Sequence, residues 1–261
     1  SIWNRQGGEL VAHYLRSWGY DPSFIGTMRG SNSPSGELGE GREGWETGDY
    51  INALTARGQP VAPGDEAAYL AMDATAQRDF NPFIREATGA DDPGIVRNGY
   101  VLDFSFYQTR FGLSAPDVIL YGLGTNDTRT QSAAVIQQTI RDNDLLILSR
   151  IRAAWPDARI VRYLPGQPRE TYRDDLWRTK YVPALRGMML ALSDLADPLI
   201  SLCPSWALVS QEVGYALDPA TADPATGSVR TTLADATHPI GCARAQLFKS
   251  LAAYVACAAA L

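Results

Sequence analysis

The sequence predicts an α/β fold in which helices cover a parallel sheet, an α/β/α sandwich, and three observations carry that expectation. Residues 117–121 form a continuous apolar run, Val118-Ile119-Leu120-Tyr121, bounded by Pro116 and Gly122. An unbroken run of this length reads as a strand buried on both faces, as parallel sheets require. A second run, Ile160-Val161-Arg162-Tyr163-Leu164, stops at Pro165. Between and around these runs lie segments with helical spacing of apolar residues, and alternation of strand and helix implies a parallel sheet with helical layers.

The elements follow in order. Leu10, Val11, Tyr14, Leu15 and Trp18 recur at helical spacing over 9–18, and Gly19 is placed to end that helix. Residues 23–26, with Phe24 and Ile25, read as a short strand. Residues 29–48 form a long loop rich in glycine, serine and glutamate, and loops of that length inside compact domains are usually functional or disordered. Residues 50–112 read as helix pieces and irregular structure, an elaborated region with a turn at Asn81-Pro82-Phe83. After the strand at 117–121, a long helix is expected over 133–155, a strand over 159–164 and a helix over about 171–195. A strand candidate at 198–202 follows, and a closing helix is expected over 241–260. One domain over 1–261 accommodates all of this.

Composition narrows the function. The net charge of −6 argues against nucleic acid or an anionic membrane as partner. Cys203, Cys242 and Cys257 have no metal-ligand spacing, and one disulfide with a free thiol or none at all both fit. No run of about 20 uninterrupted apolar residues is present.

The chemistry concentrates in a few residues. The chain has two histidines. His13 falls off the apolar face of the first helix and reads as solvated. His238 stands three residues after Asp235 and just before Pro239, which keeps it out of a helix. A carboxylate and an imidazole in one tight loop are what a serine hydrolase uses to shuttle a proton. An Asx turn capping the last helix is the plainer alternative. Gly122-Leu123-Gly124-Thr125-Asn126-Asp127 follows the first buried strand, at the end of an open sheet where ligands bind. The Asn126 amide is a candidate donor to an oxyanion. A dinucleotide reading of Gly122 and Gly124 is weak, because Asp127 stands where a third glycine belongs. In Gly39-Glu40-Gly41-Arg42-Glu43-Gly44-Trp45, glycine alternates with charge, and Gly44 is a candidate second donor through its backbone N–H. The candidate nucleophile is Ser1, which precedes a Gly-Gly pair and a helix. Its own α-amine is an alternative base, as in N-terminal nucleophile hydrolases.

Taken together, these residues resemble the SGNH (GDSL-type) hydrolases, in particular their carbohydrate-esterase-like members. Gly124-Thr125-Asn126-Asp127 is similar to the Gly-x-Asn-Asp block, and Asp235 to His238 to the Asp-x-x-His block. Gly44 takes the place of the oxyanion glycine in a block resembling His-Glu-Gly-His-Ser-Gly-Trp, with Phe24-Ile25-Gly26-Thr27 resembling the strand before it. Only Ser1, followed by Ile2, matches the nucleophile block, whose Gly-Asp and preceding strand are not in the sequence. The resemblance implies a flavodoxin-like three-layer sandwich and an acyl-enzyme mechanism with Ser1, Asp235 and His238 as catalytic triad. It implies an oxyanion hole of Ser1, Gly44 and Asn126, with Glu43, Trp45 and Trp3 near the substrate. Short acyl groups such as O-acetyl on a carbohydrate are the implied substrates, with no cofactor or metal. A separate upstream segment would complete the sheet, and a secreted or periplasmic setting is favoured. A longer-chain lipase or thioesterase, an acyltransferase with the same triad, and a catalytically silent binding module are the alternatives.

Overall fold

The protein is seen in a computed structural model that describes residues 7–30, 36–54, 57–165, 176–209, 214–216, 221–222, 224–230, 234–235 and 238–260. Helix α1, Gly8–Ser17, buries Val11, Ala12 and Leu15, one stripe of its surface, and ends where Gly19 takes φ +89°. The expected strand at 23–26 is not a strand. Those residues join no ladder, and the segment's first pairing is the isolated bridge of Met28 with Gly39. An apolar run becomes a strand only when backbone alongside takes its hydrogen bonds in register, and composition alone does not secure that.

The region expected to be helical pieces and irregular structure also holds strands. In chain order it contains α2 (Thr47–Tyr50), β1 (Gln59–Pro60), α3 (Glu66–Leu70), α4 (Ala74–Gln77), β2 (Phe80–Asn81), β3 (Ile84–Glu86), β4 (Val96–Arg97), β5 (Tyr100–Leu102) and α5 (Phe104–Phe111). Strands β3, β5 and β4 form a small antiparallel sheet. The β4–β5 hairpin turns on Asn98-Gly99, both at positive φ (49° and 81°), the conformation a two-residue hairpin turn demands. Asp103 caps α5 by accepting from the Phe106 amide at 3.0 Å.

The main sheet follows. β6 (Val118–Tyr121), α6 (Asp127–Thr130), α7 (Ile136–Ala154), β7 (Arg159–Tyr163), α8 (Val182–Leu195), β8 (Ile200–Cys203) and α9 (Ser205–Leu208) run in that order. β6, β7 and β8 lie side by side and parallel, with Ile119 opposite Ile160 and Ile160 opposite Ile200. The two expected core strands and the strand candidate therefore all sit in one sheet. Full burial of β6 is not observed: Val118, Ile119 and Leu120 are half-buried. β6 is an edge strand among the described residues, so one side of its run lacks a covering neighbour.

Alternate residues of β7 enter different apolar clusters. Val161 and Tyr163 pack with Val11 and Leu15 of α1 and with residues of the last helix, whereas Ile160 packs with Ile147, Leu148 and Ile151 of α7. The period-two alternation of a strand does this automatically. Gly187 lets α8 press on α7, since a Cβ there would lie 2.3 Å from the Gln137 carbonyl oxygen. Short strands β9 (Thr221–Ala222) and β10 (Val229–Arg230) pair antiparallel, and α10 (Gly241–Ala259) closes the chain. Cys203, Cys242 and Cys257 are all free thiols.

Candidate active site

The carboxyl end of the sheet gathers the candidate residues. Gly122 to Asp127 leaves β6 there. α10 runs antiparallel to the strands: Ala258 and Ala259 line an open cavity with Ala115 to Val118 and Ala154 to Arg159, at the amino ends of β6 and β7. The same helix also contacts α9, the element that follows the carboxyl end of β8. Asp235 and His238, just before α10, are thus delivered to the same end as Asn126. The cavity itself lies at the opposite end.

Asp235 and His238 form the expected contact. The His238 amide donates to Asp235 Oδ1 at 3.1 Å, and the Nδ1 atom lies 2.8 Å from Oδ2 and 3.1 Å from Oδ1. A carboxylate at that distance favours the tautomer with the proton on Nδ1, which makes Nε2 the basic atom. The same carboxylate thus holds both the turn and the imidazole, but it does not cap the last helix, which starts at Gly241 with no side-chain cap. The loop is braced by residues 214–216: Ala234 N–H donates to Ala216 O and Ile240 N–H to Gly214 O, both at 2.9 Å, and Tyr215 bridges to Pro239. Sequence reasoning assigned 214–216 no part in the site. Their contribution is backbone pairing, which leaves no residue-type signal.

Asn126 is tied to the Gly44 loop. Its Nδ2 donates to the Trp45 carbonyl at 2.8 Å. One residue on, Asp127 is fully buried and accepts from Thr47 N–H at 3.1 Å and Thr47 Oγ1 at 2.5 Å. Asn143 Nδ2 donates to the same hydroxyl at 2.8 Å, so the Thr47 proton points at the carboxylate. Burial pushes the Asp127 carboxyl up to about 6, and the Thr47 bonds oppose the rise. Two adjacent side chains of the turn therefore clamp residues 45 and 47 of the loop.

The glycines follow from local sterics. Gly44 sits at φ +78°, with Arg57 Nη1 donating to its carbonyl at 2.6 Å. Gly122 lies against the Tyr163 ring, where a Cβ would come within 2.2 Å of it, and Gly124 needs φ +117°.

A buried polar network supports the loop. The Arg42 guanidinium, wholly enclosed, donates to Glu40 Oε2 at 2.6 Å, to Tyr69 Oη at 2.7 Å and to the Phe80 carbonyl at 2.9 Å, and lies 5.3 Å from the Trp45 ring centre. Glu40 also accepts from Thr27 and from Tyr107. The glycine-charge alternation of this loop is thus mainly structural for Glu40 and Arg42. Trp45 needs a correction as well. It is 1% exposed, packs edge-on to Tyr50 and donates from its indole to the Arg78 carbonyl at 2.8 Å. A tryptophan in a loop does not say which way its ring turns, and here it turns into the core. Glu43 remains partly exposed, 3.8 Å from Arg78. His13 is exposed, as expected. Ser1 and Trp3 lie outside the described residues.

No protein-family model matches the chain, and no curated protein matches it. A solved structure, titled as a family two carbohydrate esterase from Clostridium thermocellum in complex with cellohexaose, is similar over 80% of this chain at 18% identity, with a TM-score of 0.33. The chain spans about 60% of the length of that protein.

Proposed function

We propose that the protein is a serine esterase of the SGNH type, with one domain over 1–261 built as a three-layer sandwich. The observation that carries the reading is the Asp235–His238 contact at the same end of the sheet as the Asn126 turn. Asp235 orients His238, and Nε2 takes the proton from Ser1 Oγ as it attacks an ester carbonyl. The proton then passes to the leaving alcohol, and water releases the acyl group by the same route. Asn126 has one amide hydrogen on Trp45 O, and its second would meet the developing oxyanion together with the N–H groups of Gly44 and Ser1. The substrates are short acyl esters, O-acetyl groups on a carbohydrate first among them, a choice that rests on the motif resemblance. The chemistry needs no metal or cofactor. A further strand beside β6 would complete the sheet, whose edge there is unpaired among the described residues.

The test is labelling with a fluorophosphonate, which traps activated serines, followed by peptide mapping on the polypeptide as its gene encodes it. An adduct on Ser1 and release of acetate from acetylated sugars are expected. Absence of any serine adduct, together with no hydrolysis of acetyl esters, overturns the reading and favours a silent binding module.

A further inference from the structure

We propose that Arg162, locked by Asp144, is a positioning residue that aims the turn bearing Asn126. The catalytic part of this inference rests on the esterase reading, and the geometric part does not. Arg162 and Asp144 are both fully buried. Arg162 Nε and Nη2 donate to Asp144 at 3.0 and 2.9 Å, a two-pronged contact that fixes the guanidinium plane. Tyr121 Oη donates to the other Asp144 oxygen at 2.6 Å, and the guanidinium carbon lies 4.3 Å from the Tyr121 ring centre. With the plane fixed, Nη1 points at the sheet's carboxyl end. It donates to Leu123 O at 2.8 Å and to Tyr163 O at 2.7 Å.

Leu123 is the residue between Gly122 and Gly124, the two positions that give the turn its freedom. Glycines on both sides leave that peptide free to swing, and Asn126 is three residues away. Holding the Leu123 carbonyl removes this freedom. At the far end, Asn126 binds Trp45 O and Asp127 binds Thr47, so the turn is gripped at both ends.

A stability role alone does not account for the pair. Exchanging a buried ion pair for apolar residues of similar volume is commonly neutral or stabilising. What apolar residues cannot do is hold the Leu123 carbonyl of the turn and the Tyr163 carbonyl of β7 with one donor group. A lysine cannot do it either, since its ammonium lacks the flat fork.

Two variants test this. Tyr121→Phe/Asp144→Leu/Arg162→Met removes the buried polar groups together, and Arg162→Lys keeps the charge. The first measurement is hydrogen exchange of the Asn126 side-chain amide by nuclear magnetic resonance, which needs no substrate. The second is kcat and KM on an acetyl ester. In both folded variants, Asn126 exchange is expected to speed up by about tenfold or more, and kcat to fall by about 10- to 100-fold with little change in KM. Unchanged amide exchange in Arg162→Lys, or in the triple variant where it folds, overturns the proposal. If the parent protein hydrolyses no ester, the esterase reading fails, and the exchange data still decide whether Arg162 positions the turn.

Discussion

Replacing Asp127 by asparagine asks what the clamp between the Gly44 loop and the Asn126 turn costs the folded protein. Asp127 is fully buried, and burial raises its carboxyl from 3.8 to about 6 despite two hydrogen bonds from Thr47. At about 1.4 kcal/mol per pH unit, ionised Asp127 costs the fold about 3 kcal/mol. The sign follows from which state holds the proton. Below 3.8 the side chain is neutral in both states, and the cost is absent. Between 3.8 and about 6 the unfolded chain has lost the proton and the folded chain keeps it, so stability falls as pH rises. Above about 6 the loss is complete. Asp127→Asn keeps an oxygen for the Thr47 donors and carries no charge. Urea unfolding of both proteins at about pH 4 and about pH 7.5 gives the stability difference at each pH. The variant is expected to gain about 2–3 kcal/mol on the parent between those points, on top of any constant offset from its amide group. Taking the difference removes the opposite slope of carboxylates such as Asp91, which Arg85 holds well below the usual range. A difference that stays flat to within about 0.5 kcal/mol refutes the argument that burial raises this carboxyl.

Other consequences are open to measurement. Asn126→Ala should lower kcat on an acetyl ester by about 10²–10³, and a loss under about fivefold removes it from the oxyanion hole. Asp235→Asn keeps the loop geometry and offers His238 the wrong tautomer partner; a fall in kcat of about 10⁴ is expected, with the melting temperature nearly unchanged. Asp144→Ala leaves the Arg162 charge buried and unpaired, and equilibrium unfolding should show a loss of about 3–5 kcal/mol. Gly122→Ala drives a methyl into the Tyr163 ring, and a destabilisation of about 1–3 kcal/mol should appear in thermal melts.

Local pattern determined much of this protein. The strands at β6 and β7 were legible because continuous apolar runs ended at proline or glycine, and α1, α7 and α10 because apolar residues recur at helical spacing over ten or more positions. The Asp235–His238 contact was legible because both partners lie within four residues, so a turn alone brings them together. The Asn98-Gly99 hairpin escaped the sequence reading of 50–112 as helix pieces and irregular structure, because β3 to β5 are too short for alternation to show. The remainder depended on long-range packing. Asn126 meets Trp45 across 81 residues and Thr47 meets Asp127 across 80, and nothing in either segment names its partner. Trp45 faces the core with its indole N–H on the Arg78 carbonyl, 33 residues away, while Arg42 and Tyr50 pack on it from its own segment. Residues 23–26 had a strand's composition and yet form no strand. Arg162 reads as a polar interruption of an apolar strand until Asp144, 18 residues away, is seen beside it. Composition sets what a segment can bury, whereas the partner that satisfies a buried polar group is chosen only when distant segments meet.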